Sequence, residues 1–164
     1  PQKDYPNLLR AFANVVAVMG DARLVIVGKG RLRSELGSLS KSLGIDHCVA
    51  FLGVRHDVPS LMSASDVFVL SSAWEGFGLV VAEAMACKRV VVATDCGGVS
   101  EVVGSSGYLV HPKDSKELGQ ALINAIQLPK AERARIVEKA RERVERNFSL
   151  AAMADRYLEI YKKS

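Results

Sequence analysis

Cysteine is scarce in this sequence, and its scarcity excludes two common ways of stabilising a small protein. The 164 residues include three cysteines, Cys48, Cys87 and Cys96. A disulfide framework or a zinc site needs cysteines paired at short spacings, and three scattered residues do not supply such pairs. The sequence therefore predicts free thiols in a reducing compartment, which we expect to be the cytoplasm.

Long apolar runs, repeats and low-complexity segments are also missing. No apolar run reaches the roughly 18 residues needed to span a bilayer. A hydrophobic content of 49% is enough for one sizeable core, so we expect a single domain over residues 1–164. The sequence starts at Pro1 without an initiator methionine or a signal peptide, and the first helical pattern follows almost at once. This start indicates a piece of a longer protein.

Charge is concentrated in one part of the chain. From Lys130 to Ser164 there are ten Lys and Arg against six Asp and Glu, so this segment holds the whole net charge of +4. Acids and bases alternate there, which favours a solvated amphipathic helix. The alternative is a peripheral contact with acidic lipids at the inner face of the membrane. Aromatic residues are not interleaved with the basic ones, so nucleic acid is not an expected partner.

Helical and strand patterns alternate along the first two thirds of the chain. Continuous apolar runs are typical of strands buried on both faces, and helical spacing separates them. The predicted fold class is therefore α/β, a doubly wound parallel sheet of the Rossmann type followed by extra C-terminal helices. A capping-box pattern, Asp114 and Glu117, starts the helical third. Strands are predicted at 23–27, 48–52, 66–70, 90–94 and 107–110, and helices at 5–19, 32–43, 58–63, 79–87 and 99–103.

The turn Gly76-Phe77-Gly78 has the pattern of a ligand site. It lies between a predicted strand and a predicted helix, where free backbone amides and the positive end of the helix dipole attract an anion such as phosphate. Two carboxylates, Glu75 and Glu83, flank the turn. Carboxylates repel phosphate but accept hydrogen bonds from hydroxyl pairs. Phosphate together with vicinal hydroxyls describes a sugar nucleotide.

Two segments of the chain resemble a known family. Residues 71–86, SSAWEGFGLVVAEAMA, and residues 93–101, ATDCGGVSE, are similar to the signature of group 1 glycosyltransferases, the family-four enzymes of the GT-B fold. The resemblance extends from Lys3 to the terminal helix. It implies that the chain is the C-terminal, donor-binding domain of such an enzyme. It also implies a missing N-terminal acceptor domain, toward which the terminal helix would pack.

The resemblance implies roles for residues of the glycine turn. Glu75 would face the transferred sugar as the candidate catalytic residue, stabilising positive charge at the anomeric carbon. Glu83 would accept hydrogen bonds from the ribose. A capping acid and a surface glutamate are the respective alternatives. The remaining turn residues would offer main-chain amides to the sugar and the diphosphate: Gly76, Phe77, Gly78, Leu79 and Val80. For the Phe77 ring, a packing role is the alternative.

Residues outside the turn receive roles in the same way. Lys3 would bind phosphate, and its alternative is a solvated lysine. Gly28 and Gly30 would line the nucleotide cleft, and Val54 and Arg55 would touch the base. The pair formed by Gly97 and Gly98 would lie near the cleft floor, or serve packing alone. The histidines have neither triad nor ligand spacing and are left out of the site: His47, His56 and His111.

The expected function is transfer of a sugar from a UDP-, GDP- or ADP-sugar to an acceptor hydroxyl with retention of configuration, as in polysaccharide biosynthesis. No cofactor is expected, and the chain lacks the clustered acids of a magnesium or manganese site. The acceptor could be lipid-linked. Two alternatives stay open, a sugar-nucleotide-binding module without catalysis and a sugar-nucleotide epimerase on the same fold.

Overall fold

The chain alternates helices and strands up to Val110 and ends in three helices. The computed structural model describes residues 2–163, with the Lys163 side chain left out. Each element predicted from the sequence is present, with ends within one residue of the expected positions. The elements are α1 (Tyr5–Val18), β1 (Leu24–Val27), α2 (Arg33–Ser42), β2 (Val49–Gly53), α3 (Val58–Ala64), β3 (Val67–Leu70), α4 (Leu79–Ala86), β4 (Val90–Thr94), α5 (Val99–Val103), β5 (Tyr108–Val110), α6 (Ser115–Ile126), α7 (Lys130–Phe148) and α8 (Leu150–Lys163).

All recorded strand pairs are parallel, which confirms the predicted fold class. Their hydrogen bonds form two groups, the pair β1–β2 and the triple β3–β4–β5. In the triple, Val67 is in register with Val90, and Val92 is in register with Tyr108. One cluster of buried side chains includes residues of both groups, among them Ile26 and Val92, so a common core joins the two.

Strand β4 lies between two helical layers. Each of its five residues is fully buried, as expected for a central strand of a parallel sheet. Successive side chains of a strand point to opposite faces. Val90 and Val92 accordingly pack in the core formed with α1 and α6, whereas Val91 and Ala93 pack in the core formed with α4, α5 and α7. Helices therefore cover both faces of the sheet.

Helix α6 has the Asp114 half of the predicted capping box but not the Glu117 half. The Asp114 carboxylate accepts hydrogen bonds from the amides of Lys116 and Glu117, as an N-cap residue does. In a full capping box Glu117 would bind the Asp114 amide. Instead, its carboxylate accepts from the amide of His111 and contacts the His111 ring, both at 2.8 Å. This contact ties the end of β5 to the first turn of α6.

Helix α8 carries its apolar residues on an exposed surface. Leu150 is 81% exposed and Tyr161 is 75% exposed. Met153, Tyr157 and Leu158 stand at helical spacing on the same helix, and these side chains are also at least half exposed. Helix α7, by contrast, buries Ala140 and Val144. None of the helices described for residues 2–163 combines the length and the apolar character required to cross a membrane.

Candidate functional site

The predicted glycine turn lies where β3 leads into α4. Gly78 is the N-cap of α4, and its φ of 81° is a left-handed conformation that favours glycine. The second motif packs directly on this turn, since the Gly98 amide donates to the Gly76 carbonyl at 2.8 Å. A Cβ at Gly97 would overlap the Glu75 carbonyl oxygen. The glycine pair 97–98 thus permits close contact between two loops.

Glu75 is held by residues from a distant part of the chain. Its Oε2 accepts from the Lys3 Nζ at 2.5 Å and from the Ser72 hydroxyl at 3.2 Å. Its Oε1 accepts from the Gln2 amide nitrogen at 3.3 Å. The Glu75 side chain is 13% exposed, and that of Lys3 is 41% exposed. Two residues to which the sequence assigned separate ligand roles, Lys3 and Glu75, therefore form one ion pair.

The environment of Glu75 keeps its carboxylate ionised. Burial works to raise the pKa of Glu75, but the hydrogen bond and charge of Lys3 outweigh it. The Ser72 hydroxyl and the Gly76 amide add smaller effects in the same direction. The pKa of Glu75 consequently lies below its ordinary value. An ionised carboxylate has about four lone-pair sites, and the donors to this one are Gln2, Lys3, Ser72 and the Gly76 amide.

Residues Gln2, Lys3 and Asp4 form what we call the amino-terminal strap. The strap crosses the end of β3, where the Ser71 hydroxyl donates to the Lys3 carbonyl at 2.7 Å. The Ala73 amide donates to the Gln2 carbonyl at 2.8 Å. Asp4 adopts a left-handed conformation with a φ of 42° and caps α1. That turn directs the strap back across the strand end.

Hydroxyl groups behind Glu75 are the part of the site that the sequence interpretation missed. Ser71, Ser72 and Thr94 are each at most 3% exposed. The Thr94 hydroxyl donates to the Ser72 carbonyl at 2.7 Å. Polar residues at the end of an apolar strand are the signal that could have identified them, because a buried hydroxyl needs a partner.

Glu83 has a different environment from Glu75. It lies on α4 five residues into the helix and is exposed. Its carboxylate has no hydrogen-bond or ion-pair partner among the described side chains. No side chain within residues 2–163 caps the amino end of α4, so the first amides of the helix keep their donors available there. Leu79 in the first turn is 67% exposed, and Val80 is half-buried.

Phe77 packs against the end of α7. Its ring lies edge-to-face with the Phe148 ring, with centroids 5.5 Å apart and planes at 71°. Phe77 is still 39% exposed. The ring therefore has the packing contact that was the alternative to a sugar contact, and it keeps an accessible surface.

The other predicted residues lie at the carboxyl ends of β1 and β2. The Gly28 amide donates to the Gly53 carbonyl at 2.7 Å, which brings the two strand ends together. Gly28 has a φ of 125°, and Gly30 is exposed in the same loop. Val54 is 62% exposed after β2. Arg55 makes a two-pronged, exposed contact with Asp57 at 2.8 and 2.7 Å.

The part of the chain that the structure describes holds no candidate metal site. Within residues 2–163, no three His, Cys, Asp or Glu side chains are grouped so that they could hold a metal ion. His111 is exposed, and Glu117 raises the pKa of its ring through a hydrogen bond and its charge. A surface cavity of about 280 Å³ is lined by Lys88 and Arg133. A second cavity, of about 440 Å³, is lined by Arg33 and Ser40. Neither is lined by a predicted site residue.

Comparisons with known proteins identify the family of this chain. The family model "Glycosyl transferases group 1" matches residues 1–127. The N-acetyl-alpha-D-glucosaminyl L-malate synthase of Bacillus anthracis is 37% identical over 163 residues. That match covers 97% of this chain and 42% of the relative. The chain thus spans less than half the length of this relative.

Two solved structures give the same result in three dimensions. HepE of Anabaena in complex with UDP superimposes with a TM-score of 0.89 at 30% identity, covering 100% of this chain and 46% of that one. The C-terminal domain of the group 1 family protein LpcC of Francisella tularensis superimposes with a TM-score of 0.80 at 29% identity. The match covers 91% of this chain and 81% of the LpcC chain. This chain therefore belongs to the group 1 glycosyltransferases of the GT-B fold and corresponds to the C-terminal domain of such a protein.

Proposed function

We propose that this chain binds the nucleoside-diphosphate sugar of a retaining glycosyltransferase, whose N-terminal half binds the acceptor. The observation that carries the proposal is the corner where the Lys3–Glu75 ion pair lies beside the uncapped start of α4. A cation, free amides and an ionised carboxylate meet there. These are the groups that a diphosphate linked to a sugar requires.

The diphosphate would lie on the first turn of α4. Its oxygens would accept hydrogen bonds from the amides of Gly78, Leu79 and Val80, with Gly76 and Phe77 completing the turn. The helix dipole adds positive potential at that point. Lys3 would supply the one full positive charge, moving from Glu75 toward the phosphate as the donor binds. Its 41% exposed side chain can make that movement.

The sugar and the nucleoside would extend in opposite directions from the diphosphate. Glu75 would accept hydrogen bonds from the hydroxyls of the transferred sugar, and Glu83 would accept from the ribose. Gly28 and Gly30 would line the nucleotide cleft, while Val54 and Arg55 would contact the base. The UDP bound to HepE, a structure 30% identical to this chain, supports a uridine donor ahead of a guanosine or adenosine one.

The chemistry would be a substitution at the anomeric carbon. The bond from that carbon to the diphosphate oxygen breaks, and a bond to the acceptor oxygen forms on the same face of the sugar. The proton of the acceptor hydroxyl passes to an oxygen of the departing diphosphate. Lys3 and the α4 amides would stabilise the negative charge of the leaving group, and Glu75 the positive charge at the anomeric carbon. The reaction would use neither a metal nor a cofactor.

A membrane-associated acceptor is part of this proposal. Helices α7 and α8 carry the net positive charge of the chain, and α8 exposes its apolar residues. Such a surface supports either the N-terminal half of the protein or an acidic membrane as its neighbour, with a lipid-linked acceptor in the second case. We place the reaction in the cytoplasm, and in the second case at the inner face of the membrane.

Calorimetric titration with UDP, GDP, ADP and their sugars tests donor binding. We expect one nucleotide to bind and Glu83→Ala to weaken it about 10- to 100-fold, since a hydrogen bond to a charged group contributes roughly 1.5–3 kcal/mol. Glu142→Ala is the matched control, because Glu142 is an exposed glutamate on α7. If no nucleotide binds at millimolar concentration, the proposal fails.

Catalysis requires a separate experiment, because the chain covers 42% of its Bacillus relative. The chain joined to its N-terminal half should transfer the sugar, and NMR of the product should show the anomeric configuration of the donor. An inverted product would exclude retention. A protein that binds donor but never consumes it would support the second candidate, a sugar-nucleotide-binding module without catalysis.

A further inference from the structure

Three buried hydroxyls connect the ends of β3 and β4 to the strap and to Glu75. Ser71 donates to the Lys3 carbonyl, and Ser72 donates to the Glu75 carboxylate. Thr94, at the end of the neighbouring strand, donates to the Ser72 carbonyl at 2.7 Å and to the Leu70 carbonyl at 3.4 Å. The hydroxyls thus reach both members of the ion pair from the interior of the sheet.

We propose that Ser71, Ser72 and Thr94 are positioning residues that hold the Lys3 main chain and the Glu75 carboxylate in place relative to each other before the donor binds. The inference rests on the proposed function, in which Lys3 would bind the diphosphate and Glu75 the sugar. Ser71 acts on the main chain of the cation, Ser72 on the carboxylate, and Thr94 on the main chain of Ser72.

The burial of these hydroxyls supports a positioning role. Each of the three residues is at most 3% exposed. A buried hydroxyl without a partner destabilises the fold, so these side chains are committed to the geometry they hold. Lys3 has a long, flexible side chain, and a salt bridge that is half exposed does not fix its own geometry. The rigid sheet end supplies the order that the ion pair lacks.

The backbone of the strap adds an independent observation. Asp4 has a φ of 42°, a left-handed conformation that residues other than glycine adopt infrequently. Backbone strain of this kind persists where surrounding contacts determine it, often at functional sites. Here the contacts are the Ser71 hydroxyl and the Ala73 amide, which grip the two residues before Asp4. The strap is therefore fixed by these contacts on one side and by the Asp4 cap of α1 on the other.

The first test measures the pKa of Glu75 by ¹³C NMR titration of its carboxyl group, without any ligand. Lys3 is the charged group that contacts this carboxylate, and Gln2, Ser72 and Gly76 are its neutral partners. We expect Ser72→Ala to raise the pKa of Glu75. Ser40→Ala is the matched control, since Ser40 is 2% exposed and donates to the Gly37 carbonyl in α2. An unchanged Glu75 pKa in folded Ser72→Ala would overturn the proposal.

Variants of Thr94 separate positioning from a general structural role. Thr94→Val removes the hydroxyl at nearly constant volume, and we expect it to raise the pKa of Glu75 as Ser72→Ala does. Thr94→Ser keeps the hydroxyl, and we expect it to restore the wild-type pKa. Equal pKa values in Thr94→Val and the wild type would remove Thr94 from the network. Should Thr94→Val fail to fold, the pKa of Glu75 in folded Ser72→Ala decides the question.

The second test measures the affinity for UDP and for UDP-glucose by calorimetry, because UDP alone lacks the sugar that Glu75 would contact. We expect Ser71→Ala and Ser72→Ala each to weaken binding about three- to tenfold, because a hydrogen bond contributes about 0.5–1.5 kcal/mol. Ser40→Ala should bind as the wild type does. Wild-type affinity in both site variants would count against the proposal. If the wild type itself binds no UDP, the proposed function fails, and the NMR titration still decides whether the hydroxyls position the ion pair.

Discussion

The two glutamates of the proposed site, eight positions apart, differ in burial and in partners. Glu75 is 13% exposed, is paired with Lys3 and takes part in a network of buried hydroxyls. Glu83 is exposed on α4 and has no partner among the described side chains. One carboxylate belongs to the structure before any ligand arrives, whereas the other is available for one.

This contrast indicates a division of labour between a pre-organised group and a free one. A carboxylate held by neighbouring donors can act on a reacting centre without rearranging, which is how electrostatic stabilisation becomes effective. A free carboxylate can accept both hydroxyls of a ribose at little cost in competing contacts. We therefore expect changes at the Glu75 corner to affect stability, and changes at Glu83 to affect binding alone.

The largest effect is expected where the two motif loops touch. Gly97→Ala places a Cβ on the Glu75 carbonyl oxygen at a φ of 56°. Because neither backbone can move freely, we expect a loss of about 3 kcal/mol in the free energy of unfolding, measured by urea denaturation. The control is Gly20→Ala, where nothing lies within 4 Å of the added atom. Equal losses in the two variants would contradict a tight contact between the loops.

The next effect compares the glutamates directly. Glu75→Gln removes the charge that pairs with Lys3, and we expect the free energy of unfolding to fall by about 1.5 kcal/mol. Glu83→Gln should change it by less than about 0.5 kcal/mol, as an exposed substitution without partners does. Chemical denaturation of both variants gives the comparison. A loss for Glu83→Gln as large as that for Glu75→Gln would erase the distinction between them.

A smaller effect on stability is expected from the aromatic contact of Phe77, which lies between the two glutamates in the sequence. Phe77→Leu removes the edge-to-face contact with Phe148, and we expect a loss of about 1 kcal/mol in the free energy of unfolding. Trp74 precedes Glu75 and is 62% exposed, so Trp74→Leu should cost less than about 0.5 kcal/mol. Thermal unfolding followed by circular dichroism distinguishes the two. A greater loss for Trp74→Leu would show that the ring packing described here is not what holds the turn.

The smallest effect concerns pH. The pKa of Glu75 is lowered in the folded protein from the ordinary value of 4.5. Its contribution to stability is therefore complete above pH 4.5 and is lost as pH falls through the lower folded pKa. We expect Glu75→Gln to flatten the pH dependence of stability below pH 4.5 by under about 1 kcal/mol, because Lys3 is partly solvated. A pH dependence below pH 4.5 that stays unchanged in Glu75→Gln would contradict the assignment.

The terminal helices show where sequence patterns stop being informative. The helical spacing of apolar residues correctly predicted both α7 and α8. Spacing identifies an apolar face but does not say what covers it. In α7 that face buries Ala140 and Val144, whereas in α8 residues such as Leu150 and Tyr161 stay exposed. The difference comes from packing against other elements, which the pattern does not contain.

Within the site, local chemistry was predictable and long-range contacts were not. The glycine turn, the strand before it and the helix after it follow from apolar runs and from the need for glycine at a left-handed position. For Gly97 and Gly98 the sequence allows either a position near the cleft floor or a packing role, and the structure shows them packed on the turn. The hydroxyls behind Glu75 were missed because a serine or threonine has no distinctive spacing.

The sequence by itself determined the order of the elements and the chemical character of the turn, because periodicity, capping residues and glycine requirements act over a few neighbouring residues. Only the tertiary structure decided that Lys3 meets Glu75, a residue 72 positions away, and that Thr94 supports the loop between them. Those contacts depend on which strand ends become neighbours and at what distance. That outcome follows from the packing of the whole core.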